Sequence, residues 1–189
     1  MAKEWTAGEL VELVHQYYPA NLNEEGFESE QAQRLVALQE RMEVERAPLW
    51  DSFIARLESL QPELLIWDLS LPLNVHQCHR VRVYVPGTRR VPGSKVAVMA
   101  CLSLMAPLYM VLTSHQDYVD GKYSYRVFYE PRPETVDLQR MLEREIEEMF
   151  GFTRLPNEVL FTPVPDLAPG NLLLGEATLA DCLFTYNRW

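Results

Sequence analysis

The apolar pattern of this 189-residue chain changes period twice, and this predicts an α+β fold: an antiparallel β-sheet covered by N-terminal helices and one later helix. Residues 1–60 repeat at helical spacing, 64–130 mainly at the two-residue spacing of strands, and 134–151 at helical spacing again, before a loop-rich tail over 152–189. With 48% hydrophobic residues the chain can bury one sizeable core, so a single α+β domain over 1–189 is expected.

Thr6 and Glu9 stand as a T-x-x-E capping box before Leu10, Leu13, Val14, Tyr17 and Tyr18, which predicts a short amphipathic helix ended by Pro19. Ser29 suits the cap of a second helix, with Leu35, Leu38, Met42, Leu49, Trp50, Phe53, Ile54 and Leu57 as its apolar positions. Pro48 is expected to kink or split it, because proline removes a hydrogen bond and clashes with the preceding turn.

From Leu64 the side chains alternate. "LLIWDLSL" places Leu65, Trp67, Leu69 and Leu71 on one face, and "CHRVRVYV" sets His79, Val81, Val83 and Val85 against Cys78, Arg80, Arg82 and Tyr84, as in strands with one wet face. The two Pro-Gly pairs of "VPGTRRVPGSK" mark an exposed basic loop. The run Val96–Leu112 is shorter than the roughly 20 residues a bilayer needs and contains Pro107, so two adjacent buried strands are expected there and no membrane span. In "SHQDYVDGKYSYRVFYE", Asp120-Gly121 suits a two-residue type I′ turn. That register pairs Val119 with Lys122, Tyr118 with Tyr123, and Gln116 with Tyr125. Beyond "EPRPE", Leu138, Met141, Leu142, Ile146, Met149 and Phe150 form one stripe, and Gly151 stands where a helix ends in the left-handed conformation. Pro156, Pro163, Pro165 and Pro169 make Leu155 to Gly170 mostly ordered loop.

The formal net charge is −10, but no acidic residue lies between Leu69 and Gln116, where Arg80, Arg82, Arg89, Arg90 and Lys95 contribute +5. An acidic chain repels nucleic acid and attracts basic partners, so binding of DNA or RNA through Arg82, Arg89, Arg90 and Lys95 ranks last among the functions considered. Solvated helix faces account for most of the asymmetry. Three cysteines without a C-x-x-C pair, and an N-terminus without an apolar signal core, lead to the expectation of a reducing, cytoplasmic location.

The stretch "NVHQCHR" brings His76, Cys78 and His79 into four positions. In a strand, Cys78 and His79 point to opposite faces, leaving His76 and Cys78 at most on one side. Two ligands fall short of the three or four a zinc site takes, and no metal or other cofactor is expected. A nucleophilic pair of Cys78 with His15 or His115 stays open as an enzyme reading, although a lone strand thiol is usually a small apolar side chain. There is no H-E-x-x-H, G-x-S-x-G or G-x-G-x-x-G, and Glu176 stands after Gly170 and Gly175 where a phosphate-binding loop has lysine, so no catalytic residue is assigned. Glu143 and Glu147, one helical turn apart, can be a catalytic pair or part of a solvated face carrying six acids between Glu134 and Glu148. Tyr118, Tyr123, Tyr125 and Tyr129 offer either contact area on the hairpin or cover for the sheet.

The C-terminal "PDLAPGNLLLGEATLADCLFTYNRW", with the acidic α+β layout, resembles bacterial immunity proteins of polymorphic toxin systems. The resemblance implies a cytoplasmic, non-catalytic protein that binds and neutralises a cognate protein toxin. It carries over no residue with a family role. Read without the family, Leu179, Cys182, Leu183 and Phe184 dock the terminus, with Trp189 packing where it ends. The partner-binding surface is expected to comprise Asp117, Tyr118, Asp120, Tyr123, Glu143 and Glu147. The competing readings are an enzyme with a hidden Cys/His site and a structural or adaptor subunit of a larger bacterial assembly.

Overall fold

The computed structural model describes residues 3–20, 29–70, 77–88 and 94–185. It shows an α+β architecture in which a six-stranded, mostly antiparallel sheet is covered on both faces. Helix α1 (Ala7–Val14) starts at the Thr6–Glu9 capping box. Ser29 caps α2 (Glu30–Leu60), accepting from the backbone N–H of Ala32. Strands β1 (Leu65–Asp68), β2 (Cys78–Tyr84), β3 (Ser94–Ser103), β4 (Leu108–Val119) and β5 (Lys122–Phe128) lie side by side in chain order, every neighbouring pair antiparallel. Helix α3 (Val136–Phe150) follows, then a two-residue strand β6 (Thr153–Arg154) parallel to the start of β4, and short helices α4 (Asn157–Leu160) and α5 (Leu179–Leu183).

Helix α2 is not split at Pro48. An interior proline costs about 3 kcal/mol, but Trp50, Phe53 and Leu57 beyond it are all buried against the sheet. Each contributes about 1.5–3 kcal/mol by leaving water, so continuing the helix outweighs the defect.

Strand β2 does not have the one wet face that its alternation predicts. Both sides of β2 and β3 are covered, because Cys78, Met99, Cys101, Met110 and Leu112 pack beneath α1 and the chain after β6, while Val81, Val83, Val98, Ala100, Leu102 and Val111 pack beneath α2 and α3. Arg80, the polar half of the β2 alternation, is itself buried and sends a guanidinium N–H to the Leu69 carbonyl at 3.2 Å. The proline-rich tail is therefore a covering layer: Leu155, Leu160, Val164, Leu167, Leu179, Leu183 and Phe184 all enter the same cluster as Leu10 and Val14 of α1. The run Val96–Leu112 is two paired buried strands, as its length implied, and no helix among the described residues is long and apolar enough to cross a membrane.

The β4–β5 hairpin has the register set by its turn chemistry. Val119 faces Lys122, Tyr118 faces Tyr123, and Gln116 faces Tyr125, with Asp120 at φ 51° and Gly121 at φ 77° in the turn. At the start of α3, Thr135 turns its hydroxyl to Thr113 of β4, 2.8 Å away, and thereby ties the helix to the sheet instead of capping it. Gly151 ends α3 at φ 65°.

Candidate functional site

Alternation along β4 and β5 puts Tyr118, Tyr123 and Tyr125 on one face of the hairpin, the face that lower down carries Leu112 and Met110 into the core. There α1 and the tail cover it; at the tip nothing among the described residues does, and the three rings are 47%, 60% and 47% exposed. They touch one another: the Tyr118 and Tyr123 centroids are 4.6 Å apart, those of Tyr123 and Tyr125 6.3 Å apart. Tyr129 continues the row inward, packing edge-on against Phe161 at 4.7 Å, and belongs to the covered part of the sheet. The tyrosine row thus splits between the two roles open to it, and Tyr125 joins the patch. Its place two residues from Tyr123 and opposite Gln116 was the signal for that.

Asp117 points away from this patch, because odd positions of β4 face the α3 side of the sheet. Its carboxylate accepts from the Ser94 hydroxyl at 2.9 Å and the Arg126 guanidinium at 2.8 Å, and these two donors hold its pKa below the ordinary carboxylate value. Asp120 is exposed in the turn beside Lys122. With Asp117 matched by Arg126 and Asp120 by Lys122, the hairpin is close to charge-balanced, and what it presents is aromatic area.

Glu143 and Glu147 do not join this surface. Glu147 accepts from the buried Tyr109 hydroxyl at 2.6 Å, and Glu143 from Arg154 of β6 at 2.6 Å. Tyr109 and Tyr118 are nine positions apart on the same strand, roughly 30 Å at the strand's rise per residue. The predicted single surface is therefore two places: an aromatic tip at one end of β4, and at the other a carboxylate network that fastens α3 and β6 to the sheet.

Of "NVHQCHR", His76 lies outside the described residues, and β2 sends Cys78 and His79 to opposite faces. Cys78 is fully buried, and burial, then its contact with Cys101, pushes its thiol well above the usual range. His115 belongs to the opposite face of the sheet from Cys78. The His15 ring is engaged at both nitrogens, Nδ1 with the Val11 carbonyl at 2.7 Å and Nε2 with Asp166 at 2.8 Å. Burial opposes the charged imidazole, but these two acceptors outweigh it and raise the pKa of His15. Neither His15 nor His115 is thereby set as a general base beside Cys78. No cluster of three metal-ligating side chains occurs among the described residues.

His79 has a different setting. It lines a cavity of about 350 Å³ at the β1 edge of the sheet, between α2 and β2, together with Glu43, Trp50, Asp51, Asp68 and Ser70. Asp68 accepts from the Trp50 indole N–H at 2.9 Å and from the backbone N–H of Ser70 at 2.8 Å. Nothing local in the sequence marks this cavity, since its walls come from three elements.

Compared with protein-family models, with curated proteins and with solved structures, the chain matches none.

Proposed function

We propose that this is a non-catalytic binding protein, an immunity protein that neutralises a cognate bacterial protein toxin in the cytoplasm, and that the β4–β5 hairpin tip is its docking element. The observation that carries the reading is the patch of Tyr118, Tyr123 and Tyr125, a row in which Tyr123 contacts the other two rings, left exposed where the covering layer of the sheet ends. Tyrosine gives large contact area at small entropic cost and concentrates binding energy at interface centres. The buried, high-pKa Cys78 and the doubly engaged His15 favour a binding role over nucleophilic chemistry.

The test is co-expression of the protein with the product of each neighbouring open reading frame, scoring growth and then isolating the complex. Rescue of growth with a stoichiometric complex, lost when Tyr118 and Tyr123 are both changed to alanine, is the expected result. Rescue that survives the double substitution removes the hairpin from the interface. Absence of any toxic neighbour or recovered partner removes the immunity reading itself.

A further inference from the structure

The two edges of the sheet are finished differently. At one, β1 is four residues long and ends in Asp68, whose carboxylate is engaged by the Trp50 indole and the Ser70 backbone. At the other, β5 runs for seven residues and is exposed over 122–126. Native sheets keep such edges short or shielded, because a row of unpaired N–H and C=O groups is a template for another strand. The Tyr109 carbonyl accepts from the Leu155 N–H on the side of β4 away from β3, so odd positions of β4 bond toward β5 and β6. Their partners Lys122, Ser124, Arg126 and Phe128 turn their backbone groups inward, and Tyr123, Tyr125 and Val127 turn theirs outward. None of these outward groups has a hydrogen-bond partner among the described residues.

We propose that β5 is the interface of a two-fold symmetric dimer, in which it pairs antiparallel with β5 of a second copy about a dyad at Tyr125. Centred there, the pairing uses the whole strand: Tyr123 meets Val127 of the second copy, Tyr125 meets Tyr125, Ser124 meets Arg126 and Lys122 meets Phe128. Aromatic and β-branched pairs of this kind stabilise a ladder, and each pair of odd positions exchanges two backbone hydrogen bonds. A centre at Ser124 would set Lys122 against Arg126, and one at Arg126 would set that residue against itself, both like-charge pairs. A centre at Tyr123 or Val127 leaves most of the strand unpaired. The two cations on the strand thus choose the register instead of closing the edge, and Arg126 already has its counter-charge in Asp117 at 2.8 Å. In this register the strand is its own complement, which is what an isologous interface requires. Tyr118, Tyr123 and Tyr125 of both copies then lie on one face of a joined sheet, which stays open to another protein. The inference goes beyond the immunity reading and does not depend on it.

The experiment is sedimentation equilibrium of the full chain from about 1 μM to about 1 mM, at low and at physiological salt. The expected result is a mass that rises with concentration from one chain to two and no further. Salt should favour the dimer, because each copy carries −10 and screening weakens their repulsion. Ser124→Lys faces Asp117 within its own chain and Arg126 across the dyad, so it should keep the fold and weaken dimerisation about tenfold. Tyr125→Cys should cross-link to its copy under mild oxidation, since opposed strand positions lie within disulfide reach and the three native cysteines are buried. Tyr118→Cys, one strand further in, should not. A chain that stays monomeric at every concentration overturns the proposal. So does a dimer that ignores Ser124→Lys and leaves Tyr125→Cys without a cross-link, which would place its interface on another face. Protection of the Tyr123 and Tyr125 amides from exchange only in a complex with a different protein would assign the edge to a foreign strand and overturn it equally.

Discussion

His79 lies flat on Trp50, and the same indole gives its N–H to Asp68, so one aromatic ring holds an imidazole on its face and a carboxylate at its edge. Burial first, and Arg46 second, push the pKa of His79 down to about 4, with Asp68 pulling the other way. The unfolded chain takes up this proton near the ordinary 6.5, the folded chain only near 4. The folded state therefore binds fewer protons across that window. The stability linked to a neutral His79 is whole above pH 6.5 and is lost as the pH falls toward 4. A gap of this size is worth roughly 3 kcal/mol. Urea unfolding of the protein and of His79→Phe across that window should show the wild type losing stability relative to the variant; parallel profiles would mean that the imidazole is not held neutral by the fold.

Thr113 and Thr135 share one buried hydroxyl contact at 2.8 Å, linking the middle of β4 to the start of α3. Thr135→Val should cost about 1–3 kcal/mol, since it leaves the Thr113 hydroxyl buried without its partner. The double variant Thr113→Val/Thr135→Val should cost less than the two single changes added together, because it removes both polar groups at once. Additive effects in a thermodynamic cycle would show that the contact contributes nothing specific.

The charged pairs on α3 are assigned to stability and the tyrosines to recognition, and the two can be separated. Glu143→Ala leaves Arg154 without its 2.6 Å partner and should lower stability by about 1–2 kcal/mol without changing affinity for a verified partner. Tyr123→Ala should do the converse, with a stability change near 1 kcal/mol or less and an affinity loss of about tenfold or more. Weakened binding by Glu143→Ala with stability intact would restore α3 to the interface.

Gly121 carries the hairpin turn at φ 77°, and a Cβ built on it meets nothing within 4 Å. Any cost of Gly121→Ala is therefore backbone strain, about 1–2 kcal/mol, read as a shift in the unfolding midpoint. An unchanged midpoint would mean that the turn relaxes to another type, and the cross-strand contact of Tyr118 with Tyr123 should then change in NMR.

What the sequence disclosed followed the range of the forces involved. The Asp120-Gly121 turn, its register, the Thr6–Glu9 capping box and the Gly151 terminus were all legible because each is decided within a few residues. Burial of β2 on both faces was not, because Arg80 and Arg82 give the strand a solvent-facing pattern while the cover for that face comes from α1 and from a tail some hundred residues later. Strand β6 is two residues long and has no period to read. The separation of Glu143 from Tyr123 and the gathering of Glu43, Asp68 and His79 around one cavity are matters of tertiary placement, which neither composition nor spacing encodes.

Cys78, Cys101 and Cys182 are all buried in the cluster beneath α1 and the tail, so their reactivity measures the integrity of that cover. Burial raises the pKa of Cys78, and burial followed by the charges of Asp181 and Asp166 raises that of Cys182. A thiol that is both inaccessible and protonated attacks disulfide reagents slowly. The native protein at neutral pH should therefore resist labelling by an aromatic disulfide reagent, and all three thiols should react once the chain is unfolded in denaturant. Removing Phe184 by substitution with alanine should open the tail side of the sheet, at a cost of about 3–5 kcal/mol, and bring labelling within reach of mild denaturant. Rapid stoichiometric labelling of one thiol in the native state would show an accessible, activated cysteine. It would return the enzyme reading to the front with Cys78 or Cys182 as its nucleophile.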